Sequence, residues 1–192
     1  MSVKAVIFDF FGVISTEVSP FWFRERFSDE EAKILKEKYM TPADRGDLTE
    51  EEVFLTLSEL SGESPTKIEA DFASRVSIDN GMTSLIKSLR GDYKTALLSN
   101  AMGTWLWKIL KSNDLEGLFD TIVISSEEHE VKPEGRIFET ALKRLGISAS
   151  EAVFIDDNKR NVDGALSVGI NGIIYTGLDD LKTKLRELGI TV

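Results

Sequence analysis

The chain has 192 residues, 42% of them hydrophobic and 29% charged, and a formal net charge of −10, which suits one domain, or one domain with an insertion, around a real core. The acidic balance argues against nucleic acid as a partner, because phosphate-backbone binding needs clustered Lys and Arg. No apolar run reaches the ~18 residues of a membrane span, no signal-peptide cleavage site follows the start, and the absence of cysteine excludes disulfides and thiolate chemistry, so a cytoplasmic location is expected.

In chain order, the first predicted strand is Val3–Phe8, apolar apart from Lys4 and ending at Asp9. From Thr16 to Asn80 there is no strand pattern, only helical ones. Ser19-Pro20 opens the first helix, Ser28–Tyr39 forms the second, the capping box Thr49/Glu52 starts the third, and Ser64-Pro65 starts the fourth. Alternation then begins. Helices are predicted over Gly81–Leu89, Arg136–Leu145, Asn161–Val168 and Asp179–Leu188, each with apolar residues on one face. Strands are predicted over Lys94–Leu98, Thr121–Ile124, Ala152–Ile155 and Gly172–Tyr175, short apolar runs of the buried parallel kind. The expected fold class is therefore α/β, with a Rossmann-like parallel-sheet core over residues 1–15 and 81–192. Residues 16–80 are expected to form an inserted all-helical, four-helix cap over the carboxyl ends of the strands, where open α/β sheets bind ligands.

Four strand ends deliver chemistry-bearing residues. Asp9 follows the first strand, and Gly12 permits an unusual backbone turn just beyond it. Ser99-Asn100 offers a hydroxyl and an amide to an anion. Lys132-Pro133 precedes a helix and brings one cation. Asp156-Asp157, followed by Asn158 and Asn161, places adjacent carboxylates after a buried strand, which repel unless a cation or solvent offsets them. Oxygen-rich clusters of this kind suit Mg²⁺.

With Asp9-Phe10-Phe11-Gly12-Val13, Ser99-Asn100, Lys132-Pro133 and Asp156-Asp157 in this order, the chain resembles the haloacid dehalogenase superfamily, in its phosphatase-like branch with a helical cap after the first strand. The segment Arg45-Gly46-Asp47-Leu48-Thr49 also looks like a cap loop of that branch. The resemblance implies a Mg²⁺-dependent hydrolase acting on a small phosphorylated metabolite through an aspartyl-phosphate on Asp9. It assigns Mg²⁺ to Asp9, the Phe11 carbonyl and Asp157, with Asp156 assisting, and places Asn161 behind that loop. Ser99 and the Asn100 backbone are expected to donate to the phosphoryl oxygens, Lys132 to balance charge, and Arg45 to reach the substrate.

Phe11 departs from the pattern, because phosphatases of this superfamily usually carry a second aspartate there as general acid and base. Such help is typically worth about 10²–10⁴-fold, so slow turnover or a good leaving group is expected. Metal-independent 2-haloacid dehalogenases of the superfamily also have an aromatic residue at that position. The three aspartates would repel a haloacid carboxylate without a cation. A weakly catalytic phosphoryl-binding protein is the other alternative, against which the intact set of polar residues weighs. His129 is read as a solvated loop residue, and Phe21, Trp22 and Phe23 as core of the helical segment rather than lining of a substrate pocket.

Overall fold

A computed structural model describes residues 2–192. Five parallel strands form one sheet: β1 (Ala5–Phe8), β2 (Lys94–Ser99), β3 (Thr121–Ile124), β4 (Ala152–Asp156) and β5 (Asn171–Ile174), in the order β3-β2-β1-β4-β5. Between β1 and β2 come α1 (Ser19–Arg24), α2 (Asp29–Leu35), α3 (Thr41–Arg45), α4 (Glu50–Ser61), α5 (Pro65–Ser74) and α6 (Asn80–Leu89). Further α-helices are α7 (Gly103–Ser112), the single turn α8 (Ser125–Glu128), α9 (Gly135–Leu145), α10 (Lys159–Ser167) and α11 (Leu178–Glu187).

Alternation along the strands assigns each face its cover. Val6 and Phe8 of β1, with Leu97, Val153 and Ile155, pack on the apolar stripes of α6, α7 and α11. Ala5 and Ile7, with Ala96, Leu98, Val123 and Phe154, pack on α9 and α10. A sheet buried on both faces explains why its strands read as continuous apolar runs.

The helical segment differs from expectation at its second member. The helix does not stop at Tyr39. It continues as a π-helical turn over Lys36–Met40 straight into α3, so one rod runs from Asp29 to Arg45. Pro42 lacks an N–H and its ring crowds the preceding turn, which the wider π turn accommodates. The rod is capped at its start by the reciprocal Ser28/Glu31 box and at its end by Gly46 at φ 84°. Trp22, Phe23, Phe54 and Phe72 form the aromatic interior of this segment, with Arg26 over the Trp22 ring. Phe21, expected in that core, is instead 50% exposed, because α1 turns its neighbours Trp22 and Phe23 inward and leaves Phe21 on the outer face. Neither α7 nor the turn α8 is predicted from the sequence; the apolar face of α7 packs on the sheet, and α8 is too short to show a period.

Candidate active site

Asp9 leaves the central strand beside β4. Phe8 is level with Leu97 on one side and Ile155 on the other, so the next residues bring Asp9 and Asp156 together at the carboxyl ends. The Asp9 amide donates to the Ile155 carbonyl at 2.9 Å, which fixes this step. Asp9 Oδ1 accepts from the Phe10 amide at 2.7 Å and lies 2.7 Å from Lys132 Nζ. Lys132 Nζ also donates to Asp156 Oδ2 at 2.7 Å. Asp156 is fully buried and its two oxygens are held by the Asn158 amide at 2.8 Å and by Asn161 Nδ2 at 3.0 and 3.1 Å. Asn100 fixes the lysine's main chain, donating from Nδ2 to the Lys132 carbonyl at 3.0 Å and accepting from the Lys132 amide at 2.8 Å.

These groups are costly to bury and shift one another accordingly. Burial, with the neighbouring Asp156 charge, pushes Asp9 well above the ordinary carboxylate range against the pull of Lys132. Burial alone would lower the Lys132 ammonium, but Asp9 and Asp156 together hold it above its usual value. Asp157 is raised by burial and then by Asp156. Three carboxylates thus face a single buried ammonium.

That excess of negative charge is what a divalent cation would offset. Asp9, Asp156 and Asp157 can each offer one oxygen, all within 4.8 Å of one another. Gly12, at φ 81°, makes the approach possible: a Cβ there would lie 2.5 Å from Asp157 Oδ2. Among the described residues no donor engages the Phe11 carbonyl beside this cluster. The donor set is all oxygen, as hard cations such as Mg²⁺ require.

Ser99 lies at the end of β2, fully buried, with a hydroxyl that finds no partner among the described residues. Leaving such a group unsatisfied costs about 1–3 kcal/mol. It does not line the cavity above; Asn100, the next residue, does.

The cavity over the strand ends has a volume of about 460 Å³ and is lined by Asp9, Phe11, Asn100, Lys132, Asp157 and Asn161 from the sheet side. From the helical side come Glu17, Lys36, Asp44 and Arg45. Arg45 is not free to point anywhere in it, because both its terminal nitrogens donate to Glu134, at 2.5 and 3.1 Å. Phe11 is half-buried and stacks on Trp105, ring centroids 5.5 Å apart and planes 15° apart. Nothing local in the sequence singles out Glu17 or Asp44, which meet only because the rod folds back over the strands. Burial raises Glu17 and pushes Asp44 up to about 7. Apart from Ser99 and Asp156, both fully buried and outside its lining, the expected site residues line one cavity, and His129 is exposed, with Nδ1 3.2 Å from the Arg45 carbonyl.

Fold and site define an α/β protein with an acidic, lysine-balanced centre at the carboxyl edge of a parallel sheet. Residues 6–175 match the family model described as haloacid dehalogenase-like hydrolase, and the chain belongs to that family of hydrolases. It is 29% identical over 191 residues to the sesquiterpene phosphatase astK of Aspergillus oryzae, covering 96% of each chain. It is 31% identical over 81 residues to (S)-2-haloacid dehalogenase 4A of Burkholderia cepacia, covering 42% of this chain and 35% of that one. A HAD family enzyme of Bacteroides thetaiotaomicron superposes with a TM-score of 0.81 at 25% identity, over 97% of this chain and 100% of that one. A structure of the same enzyme in complex with magnesium and inorganic phosphate superposes at 0.76 with 27% identity, over 90% and 93%.

Proposed function

We propose that the protein is a Mg²⁺-dependent phosphatase of a small phosphorylated metabolite, working through an aspartyl-phosphate on Asp9. The observation that carries this reading is the Lys132 ammonium at 2.7 Å from both Asp9 and Asp156, with the Asp157 carboxylate completing a three-acid cluster. A bound Mg²⁺ would neutralise charge where carboxylate and phosphate must approach. Asp9, the Phe11 carbonyl and Asp157 are assigned to hold it. Asp156, whose oxygens are already engaged by protein donors, is assigned to the lysine and to water-mediated support, and Asn161 to keeping that loop in place.

Asp9 attacks phosphorus; the bond to the leaving oxygen breaks, and water later cleaves the acyl phosphate. Lys132 keeps Asp9 oriented and balances the phosphoryl charge as it transfers. The Asn100 backbone, which lines the cavity, and the Ser99 hydroxyl, buried one residue behind it with no partner among the described residues, are assigned as donors to an incoming phosphoryl group. Arg45, at the cavity wall, is assigned to the leaving-group side. The complex of the Bacteroides enzyme with magnesium and phosphate and the likeness to a phosphatase over nearly the whole chain support this reading.

A dehalogenase is the second reading, favoured by the aromatic Phe11. A phosphorylated-metabolite panel with Mg²⁺, using Asp9→Asn as the blank, separates the two. Phosphate release is expected from the wild type, lost in the blank, abolished by EDTA and restored by Mg²⁺. Halide release from 2-haloacids that survives EDTA would overturn the phosphatase.

A further inference from the structure

Phe11 leaves this site without a general acid on the turn after Asp9, and its ring, stacked on Trp105 and edge-on to Phe10, closes that place to a carboxyl group. Apart from Asp9 and Asp157, the carboxyl groups lining the cavity belong to Glu17, Glu37, Asp44 and Glu134. Glu134 is bound by Arg45, and Glu37 is exposed. Glu17 and Asp44 are half-buried, and neither makes a side-chain hydrogen bond or ion pair among the described residues.

The two differ in the charges that act on them. Asp44 responds to Lys36, Glu17 and Lys132. Glu17 responds to Lys36 and Lys132 and also to Asp156 and Asp157, the loop that closes the acid cluster. Glu17 is also held by the stretch that carries the nucleophile. The Gly12 amide donates to the Ser15 carbonyl at 2.7 Å and the Ser15 amide to the Phe10 carbonyl at 2.9 Å. The Thr16 amide donates to the Ser77 carbonyl at 3.1 Å, and the Asp79 amide to the Ile14 carbonyl at 2.9 Å. Eight residues beyond Asp9, Glu17 thus follows closely on the hydrogen-bonded turn that carries the nucleophile, whereas Asp44 rides on the rod.

We propose that Glu17 supplies the proton transfers that Phe11 cannot, acting as the acid and base of the Asp9 reaction. This rests on the phosphatase reading. As Asp9 oxygen bonds to phosphorus and the bond to the leaving oxygen breaks, the Glu17 carboxyl proton passes to that oxygen, releasing the alcohol. The Glu17 carboxylate then takes a proton from water as the water oxygen attacks phosphorus. Phosphate leaves, Asp9 is again a carboxylate and Glu17 is again an acid. Burial raises Glu17 from its usual value, with Lys36 opposing and Asp157 adding to the shift, the direction a general acid needs.

The test compares kcat/KM on glycerol phosphate, a poor leaving group, with p-nitrophenyl phosphate, a good one. Glu17→Gln is expected to lose about 10²-fold or more on the alkyl ester and little on the aryl ester. Adding Phe11→Asp to Glu17→Gln is expected to restore alkyl turnover, which repair of a merely structural loss would not do. Equal losses on both esters without rescue, no loss on the alkyl ester, or a selective alkyl loss in Asp44→Asn but not in Glu17→Gln would overturn the assignment. Failure of the phosphatase reading looks different: the wild type and Asp9→Asn would then release phosphate from neither ester above the same background.

Discussion

Gly12 is the residue on which the acid cluster depends most directly. Its φ of 81° is disfavoured for any residue with a Cβ, and that Cβ would lie 2.5 Å from Asp157 Oδ2 and 2.6 Å from its Cγ. Gly12→Ala must therefore either flip the turn after β1 or push Asp157 away from Asp9. Displacing a metal-supporting group typically costs 10–100-fold in affinity, so the Mg²⁺ concentration for half-maximal phosphate release is expected to rise by about tenfold or more. A Mg²⁺ titration of turnover checks it, and an unchanged midpoint would remove Asp157 from the metal's reach. At this scale the sequence was readable where chemistry is local: Asp9, Lys132 and Asp156-Asp157 each sit at the end of an apolar run or before a helix. Glu17 and Asp44 were not, because their membership of the cavity depends on chain segments about thirty positions apart folding together.

At the scale of elements, the rod from Asp29 to Arg45 is positioned by its last turn. The Ser125 hydroxyl donates to the Asp44 carbonyl, and the Arg45 side chain bonds Glu134. Gly46 packs against α8 so closely that a Cβ would lie 2.4 Å from the Ser126 carbonyl oxygen. Gly46→Ala adds that clash to an unfavourable positive φ and is expected to destabilise by roughly 1–3 kcal/mol, read as a lower thermal midpoint. Glu134→Gln breaks an exposed ion pair worth about 0–1 kcal/mol and should leave the midpoint nearly unchanged. A fall for both alike would mean that the ion pair, not the close approach, seats the rod. The rod's true end was hidden from sequence because Pro42 signals a break, while a π turn lets the helix continue through it.

For the whole molecule, strand order places three carboxylates and one lysine at a single edge of the sheet, despite a sequence separation from residue 9 to residue 157. The parallel sheet was legible because buried strands leave short apolar runs between amphipathic helices, although β5 lies one residue earlier than its pattern suggests. No described helix is long and apolar enough to cross a membrane. The leaving group was not legible, since cavity shape emerges only from how the rod meets the sheet. The central claim, that Asp9 attacks phosphorus, is tested most directly by acid-quenching a single turnover with Mg²⁺ and mapping the phosphate by mass spectrometry. The account predicts a phosphate on the Asp9 peptide that disappears with further turnover and is absent in Asp9→Asn. Phosphate release by the wild type with Asp9 never modified, under conditions that trap an acyl phosphate, would contradict it.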